Sequence, residues 1–256
     1  MCYDDKARPP VPPTNGGQAH GEDLVLTAAD GTRFAAFLAQ PGSPTGAKIV
    51  IYPDVRGLHG FYKDLALRFA ETGVRALAID YFGRTAGLTP RDDSFEFMPH
   101  VQQLSINNIF ADAQAALDYL RQGEGADRPA FVVGFCIGGS LTLLSAGRDF
   151  GLAGAIAFYA GMSRDFGGYG TALDRAGEVK CPVLGLFGGA DPGIPPEQVA
   201  ELDSRLDQAG VPHDIVTYPG APHSFFDRKA TDYAEASADA WRRILSFIET
   251  YSQASG

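Results

Sequence analysis

Apolar residues along this chain fall into short, nearly unbroken runs, and the polar segments between the later runs carry a helical rhythm. Eight runs read as strands: "DLVLTA", "RFAAFLAQ", "KIVIYP", "VRALAID", "AFVVG", "AGAIAFY", "PVLGLF" and "HDIVTYP". Most lack polar alternation, so the strands they form must be covered on both faces. Between them the period changes. Phe61, Leu65 and Phe69 recur every four residues, and Trp241, Ile244, Leu245 and Ile248 share one face of a terminal helical stretch. Strand alternating with helix predicts an α/β architecture with a mostly parallel central sheet and helices on both faces. With no internal repeat and no linker, residues 21–256 are expected to form a single domain. Residues 1–20, rich in Pro, Gly and charge, predict an extended or poorly ordered arm on the surface.

Composition narrows the partners. The 256 residues are 45% hydrophobic, enough to bury a full core. A formal net charge of -10, with Arg56, Arg68, Arg84 and Arg91 scattered and not clustered, opposes nucleic-acid binding. No run reaches the ~20 apolar residues of a membrane span, and "MCYDDKARPPVPP" lacks the apolar centre of a secretory signal. A soluble, cytoplasmic protein is expected. The three cysteines, Cys2, Cys136 and Cys181, have neither the even count of a disulfide framework nor the spacing of a zinc site.

One cysteine stands apart. "GFCIGG" follows the apolar run "PAFVV" and precedes the helical pattern "SLTLLSAG", so Cys136 sits where a strand turns into a helix. Glycines two residues either side, Gly134 and Gly138, describe a Gly-x-nucleophile-x-Gly elbow, which projects its central side chain above the sheet edge and has no room for bulk at the flanks. The following helix N-terminus favours a thiolate and a developing oxyanion. The competing reading makes Cys136 a small buried hydrophobe and the glycines mere packing aids.

A cysteine nucleophile requires a base and an orienting carboxylate, which on such a sheet follow later in the chain in the order acid, histidine. Asp191 lies in "GGADPGIPPEQV" after one strand and His223 in "GAPHSFFD" after the next. Both positions lie at strand carboxyl ends, where functional loops of open α/β sheets collect. Asp191 before a proline also reads as a turn residue, and His223 also reads as a surface histidine. His213 starts a strand, His20 lies in the arm, and His59 and His100 precede any suitable acid. Cys181 reads as structural.

These motifs, with "VIYPDVRGLHGFYKDLALRFAETG" and "ALAIDYFGR", resemble the dienelactone hydrolase family, a cysteine branch of the α/β-hydrolases, over roughly residues 22 to 250. The resemblance implies an α/β-hydrolase fold and a Cys136, Asp191 and His223 triad that opens enol-lactones such as dienelactone through a thioester. It further implies oxyanion donors at the Ile137 and Val55 backbone N–H groups and an acid at Asp54 that interacts with the thiol. Arg84 is implied as the residue holding a substrate carboxylate. The family's second carboxylate-binding arginine is expected four residues after the histidine, where this chain has Asp227 followed by Arg228; Arg56 is a replacement candidate. No metal or organic cofactor is required by this chemistry. A broader carboxylesterase or thioesterase, and a non-catalytic binder or thiol redox sensor, remain alternatives. The expected partner is a small, carboxylated ester or lactone, and the expected state a monomer or small homo-oligomer.

Overall fold

The computed structural model describes residues 6–14, 16–43, 46–123 and 125–253. Each apolar run lies within or across a strand: β1 (Ala19–Thr27), β2 (Arg33–Pro41), β3 (Lys48–Tyr52), β4 (Arg75–Ile79), β5 (Ala130–Phe135), β6 (Leu152–Phe158), β7 (Val183–Gly188) and β8 (His213–Tyr218). They form one sheet in the order β1-β2-β4-β3-β5-β6-β7-β8. β1 pairs antiparallel with β2 and β2 with β4, and every later neighbour is parallel. The continuously apolar strands β3, β5 and β7 are buried at every position, whereas the edge strands β1 and β8 are partly exposed.

The helices are α1 (Gly60–Glu71), the single turns α2 (Gly83–Ala86) and α3 (Met98–Val101), α4 (Ile106–Leu120), α5 (Ile137–Ala146), α6 (Pro196–Gln208) and α7 (Ala234–Gln253). Strand alternation divides them between two faces. From β5, Phe131 meets Phe247 of α7 and Phe135 meets Tyr62 of α1, while Gly134, pointing the other way, lies against Thr142 of α5. Phe69 and Trp241 join α1 to α7 edge to face at 5.0 Å. The buried stripe of α7 runs through Ser237, Ala240, Trp241, Ile244, Phe247 and Ile248. Leu245, expected on that stripe, is half-buried at its margin and Phe247 takes the inward position.

The amino-terminal stretch is more engaged than its composition suggests. β1 begins at Ala19 because β2 is long enough to pair Ala19 with Pro41, so the last two residues of the expected arm are strand. Further upstream, the Trp241 indole N–H donates to the Pro10 carbonyl at 2.8 Å, and Pro9 and Pro12 are buried. Cys2 lies outside the described residues. Among them no helix is long and apolar enough to cross a membrane.

The order β4-β3-β5 reverses direction between β3 and β5. In an open α/β sheet, the carboxyl ends of two such strands diverge and leave a crevice. The loop after β3 and the turn after β5 line this one.

Candidate active site

β5 ends at Phe135, α5 begins at Ile137, and the whole reversal falls on Cys136, whose φ of 58° and ψ of -118° lie where side-chain-bearing residues rarely go. Its N–H donates to the Phe158 carbonyl at 3.1 Å, tying the turn to β6. A Cβ on Gly134 would collide with the Gly138 backbone and come within 2.5 Å of Thr142 Oγ1, and one on Gly138 would enter the carbonyl oxygens of Tyr52 and Pro53. The elbow therefore closes only because both flanks are glycine, and it packs directly against the end of β3. Cys136 is half-buried; Cys181 is buried, and desolvation pushes its thiol up to about 12.

Asp191 and His223 come together at the same sheet edge, from the loops after β7 and β8. His223 Nδ1 lies 2.5 Å from Asp191 Oδ2, and the other Asp191 oxygen accepts the Gly193 N–H at 2.9 Å. The two loops are sewn to each other by Gly189 N–H to Tyr218 O and Ala190 N–H to Ala221 O, at 2.8 and 2.9 Å. Beyond the histidine, Phe225 and Phe226 are fully buried, Phe226 4.6 Å from the Phe158 ring and 5.7 Å from Trp241. Burial of each ring is worth roughly 2–3 kcal/mol. This anchors the loop while leaving His223 partly exposed.

The loop after β3 supplies the opposite wall. The Tyr81 hydroxyl donates to the Pro53 carbonyl at 3.0 Å and also contacts that of Asp54. Asp54 Oδ1 accepts the Arg56 N–H at 2.9 Å, and Gly57 turns with a φ of 74° where a Cβ would collide with Asp80 Oδ1. Asp80 is gripped on both oxygens by Arg91, at 3.2 and 2.8 Å, and holds the Leu58 and Phe82 amides. This scaffold carries the half-buried Val55 in the loop whose Pro53 carbonyl lies against Gly138 in the first turn of α5; the Ile137 N–H there is one of the amides a helix start leaves without an intrahelical partner.

A model of the Dienelactone hydrolase family matches residues 34–252. The chain belongs to the dienelactone hydrolase family. A Salmonella typhimurium protein named "Putative carboxymethylenebutenolidase" is 29% identical, covering 98% of this chain and 96% of that protein. A Bradyrhizobium protein named "Probable 2-oxo-3-(5-oxofuran-2-ylidene)propanoate lactonase" is 28% identical over 88% of this chain and 93% of its own. Among solved structures, the "Putative Dienelactone Hydrolase" of Klebsiella pneumoniae superimposes with a TM-score of 0.79 at 25% identity, covering 91% of this chain and 99% of that one.

As a dienelactone hydrolase family member, this chain departs from the sequence expectation at its arginines. Arg84 was expected to face a substrate carboxylate. Instead its guanidinium binds Asp30 and, at 2.6 Å, Thr32 through one nitrogen, and Asp112 of α4 at 2.8 Å through the other. It joins the β1–β2 turn to α4 because a buried carboxylate, Asp112, lies within its reach. Arg56, the proposed replacement, is buried with one nitrogen 3.2 Å from Asp93. Asp54, expected near the thiol, caps its own loop, with His59 Nε2 3.6 Å from the same oxygen. His213 stands at the opposite end of the sheet, its ring nitrogens against Val211 O and Asp203.

Asp227 is buried beneath the histidine loop, where the Tyr159 hydroxyl donates to Oδ2 at 3.0 Å and the Arg228 N–H donates to Oδ1. Burial, and secondarily the charge of Asp54, push its carboxyl up to about 7. Tyr159 has a φ of 33° and sets its ring 4.8 Å from that of His223. Its phenol is held well above its usual range by burial and by the charge of Asp227. The sequence signal for Tyr159 was modest: a tyrosine at the carboxyl end of "AGAIAFY", the strand next to the elbow.

Proposed function

We propose that this protein is a cysteine-dependent hydrolase of lactones and small activated esters, with Cys136 as nucleophile, His223 as base and Asp191 as its orienting acid. The observation that carries this reading is the strained Cys136 turn at the sheet edge that also bears the His223–Asp191 pair. With Nδ1 engaged by Asp191, Nε2 is the working nitrogen of the histidine.

Nε2 takes the thiol proton, and the thiolate sulfur attacks the substrate carbonyl carbon while the C=O π pair moves onto oxygen. The Ile137 and Val55 amides would hold that oxyanion. Collapse of the tetrahedral adduct expels the alkoxide or enolate, which receives the proton from His223, and leaves a thioester on Cys136. His223 then deprotonates a water that attacks the thioester; collapse releases the acid, and the thiolate is reprotonated. A thiolate is itself easily expelled, so substrates with good leaving groups such as enolates are favoured over amides. The lactonase name carried by the Bradyrhizobium relative fits an enol-lactone substrate.

A second reading, a broader esterase or thioesterase, is favoured by the arginines: Arg84 is committed to Asp30 and Asp112, and Asp227 stands at the expected second cation. Rapid mixing with an activated aryl ester tests the mechanism. A burst of released phenol with one equivalent per Cys136 is expected, abolished in Cys136→Ala with the fold retained; steady turnover by that variant would overturn the assignment. Comparing dienelactone with neutral aryl esters on the wild type separates the two substrate readings.

A further inference from the structure

Beneath the elbow and the histidine loop lies a group of buried polar side chains larger than the hydrolytic triad uses. Asp54 and His59 come from the loop after β3, Tyr62 from α1, Tyr81 from the loop after β4, Tyr159 from the end of β6, and Asp227 from the histidine loop. All are buried. They also act on one another: burial first, and then the charges of Asp54 and Asp227, hold the Tyr62 and Tyr159 phenols in the protonated form, and a charge on Cys136 adds to this at Tyr159 and Tyr81. The group thus carries two acidic side chains, Asp54 and Asp227. Near them are the imidazoles of His59, 3.6 Å from Asp54, and of His223, whose charge acts on Asp227. His223 is already engaged by Asp191 and is needed as the counter-ion of the thiolate.

We propose that Asp227 is a positioning residue for the hydrolysis: it steers His223 through Tyr159, and its carboxyl group must be the neutral acid for Cys136 to ionise readily. This rests on the proposed roles of Cys136 and His223. The geometric part is the chain of contacts from Asp227 Oδ2 to the Tyr159 hydroxyl at 3.0 Å and from the Tyr159 ring to the His223 ring at 4.8 Å. The electrostatic part follows from charge placement. An ionised Asp227 would place an anion in a water-poor floor that also holds the Asp54 carboxyl group. It would attract the imidazolium that should stay beside the thiolate, and so oppose thiolate formation. The neutral acid does neither. Of the groups acting on Asp227, Asp54 raises its proton affinity further, while the Arg228 amide and the Tyr159 hydroxyl, by hydrogen bonds, and the charge of the partly exposed His223 lower it; Tyr62 also faces it.

The experiment follows the alkylation rate of Cys136 by iodoacetamide against pH, quantified on the Cys136 peptide by mass spectrometry so that other thiols do not contribute. In wild type, thiolate formation should be delayed by ionisation of Asp227. In Asp227→Asn the site stays neutral, so alkylation at about pH 8 should be roughly tenfold faster, the effect of about one pKa unit. Tyr159→Phe should act in the same direction as Asp227→Asn, over a narrower pH range. It deletes a hydrogen bond that favours the carboxylate, so Asp227 ionises later and the bend in the profile moves to higher pH. Profiles of wild type and Asp227→Asn that superimpose overturn the proposal, because a purely structural role would lower stability without moving the thiol titration. Should Asp227→Asn fail to fold, an unmoved bend in Tyr159→Phe overturns it. The assay reads the thiol without turnover, so the nucleophile assignment, tested by Cys136→Ala, stands or falls separately.

Discussion

Arg84 sits between two carboxylates of unequal character. Asp30 is exposed, and its hydrogen bond with Arg84 holds its carboxyl down to about 2; Asp112 is buried, and desolvation pushes its carboxyl up to about 7 against the pull of the same guanidinium. Replacing Arg84 by Ala leaves a buried acid without its donor, a loss of roughly 1–3 kcal/mol. The melting temperature should fall, while kcat/KM for a carboxylated and a neutral ester should change by the same factor. A selective loss on the carboxylated substrate would return Arg84 to the substrate. The motif "YFGR" located this residue after β4, but a side chain that reaches several ångströms in any direction is aimed by its neighbours, and Asp30 and Asp112 are separated from it by 54 and 28 residues.

The elbow was legible at the scale of one element. Gly134, Cys136 and Gly138 sit at a strand-to-helix junction that local pattern alone exposes, and the reason glycine is needed at Gly134 is also local: β5 and the first turn of α5 cross closer than a Cβ allows. The clash at Gly138 comes from the Tyr52 and Pro53 carbonyls, which belong to β3 and its loop and cannot yield without moving the central sheet. Gly138→Val should therefore destabilise by roughly 3 kcal/mol or more. Thermal melting and soluble yield, compared with Cys136→Ala as a control of normal stability, check this; a Gly138→Val protein as stable as the control would contradict the packing. The reach of β1 back to Ala19 was not legible, since only its partner β2 specifies how far pairing extends.

At the scale of the whole molecule, the buried acids make stability fall as pH rises through a window where most carboxylates have finished titrating. Asp227 is protonated in the folded state up to about 7 but only to its ordinary value of 3.8 when unfolded. Between these limits the folded protein binds more protons, so each increase in pH favours unfolding, at up to about 1.4 kcal/mol per unit for one group. Denaturant unfolding of wild type should give lower stability at about pH 7 than at about pH 5. Asp227→Asn should lose on the order of 1–2 kcal/mol of that difference, with Asp112 supplying part of the remainder. An unchanged difference in the variant would show that Asp227 is ionised in the native protein throughout. What the amino-acid order alone determined was the run of strands and helices, the elbow at Cys136, and the loops that bear Asp191 and His223, because these depend on periodicity and turn chemistry within a few residues. The meeting of His223 with Asp191, the commitment of Arg84 and Arg56 to other carboxylates, and the burial of Asp227 against Tyr159 were decided only by the tertiary structure. Each depends on groups tens of residues apart being desolvated together, and a charge's partner and proton affinity do not exist until that burial has occurred.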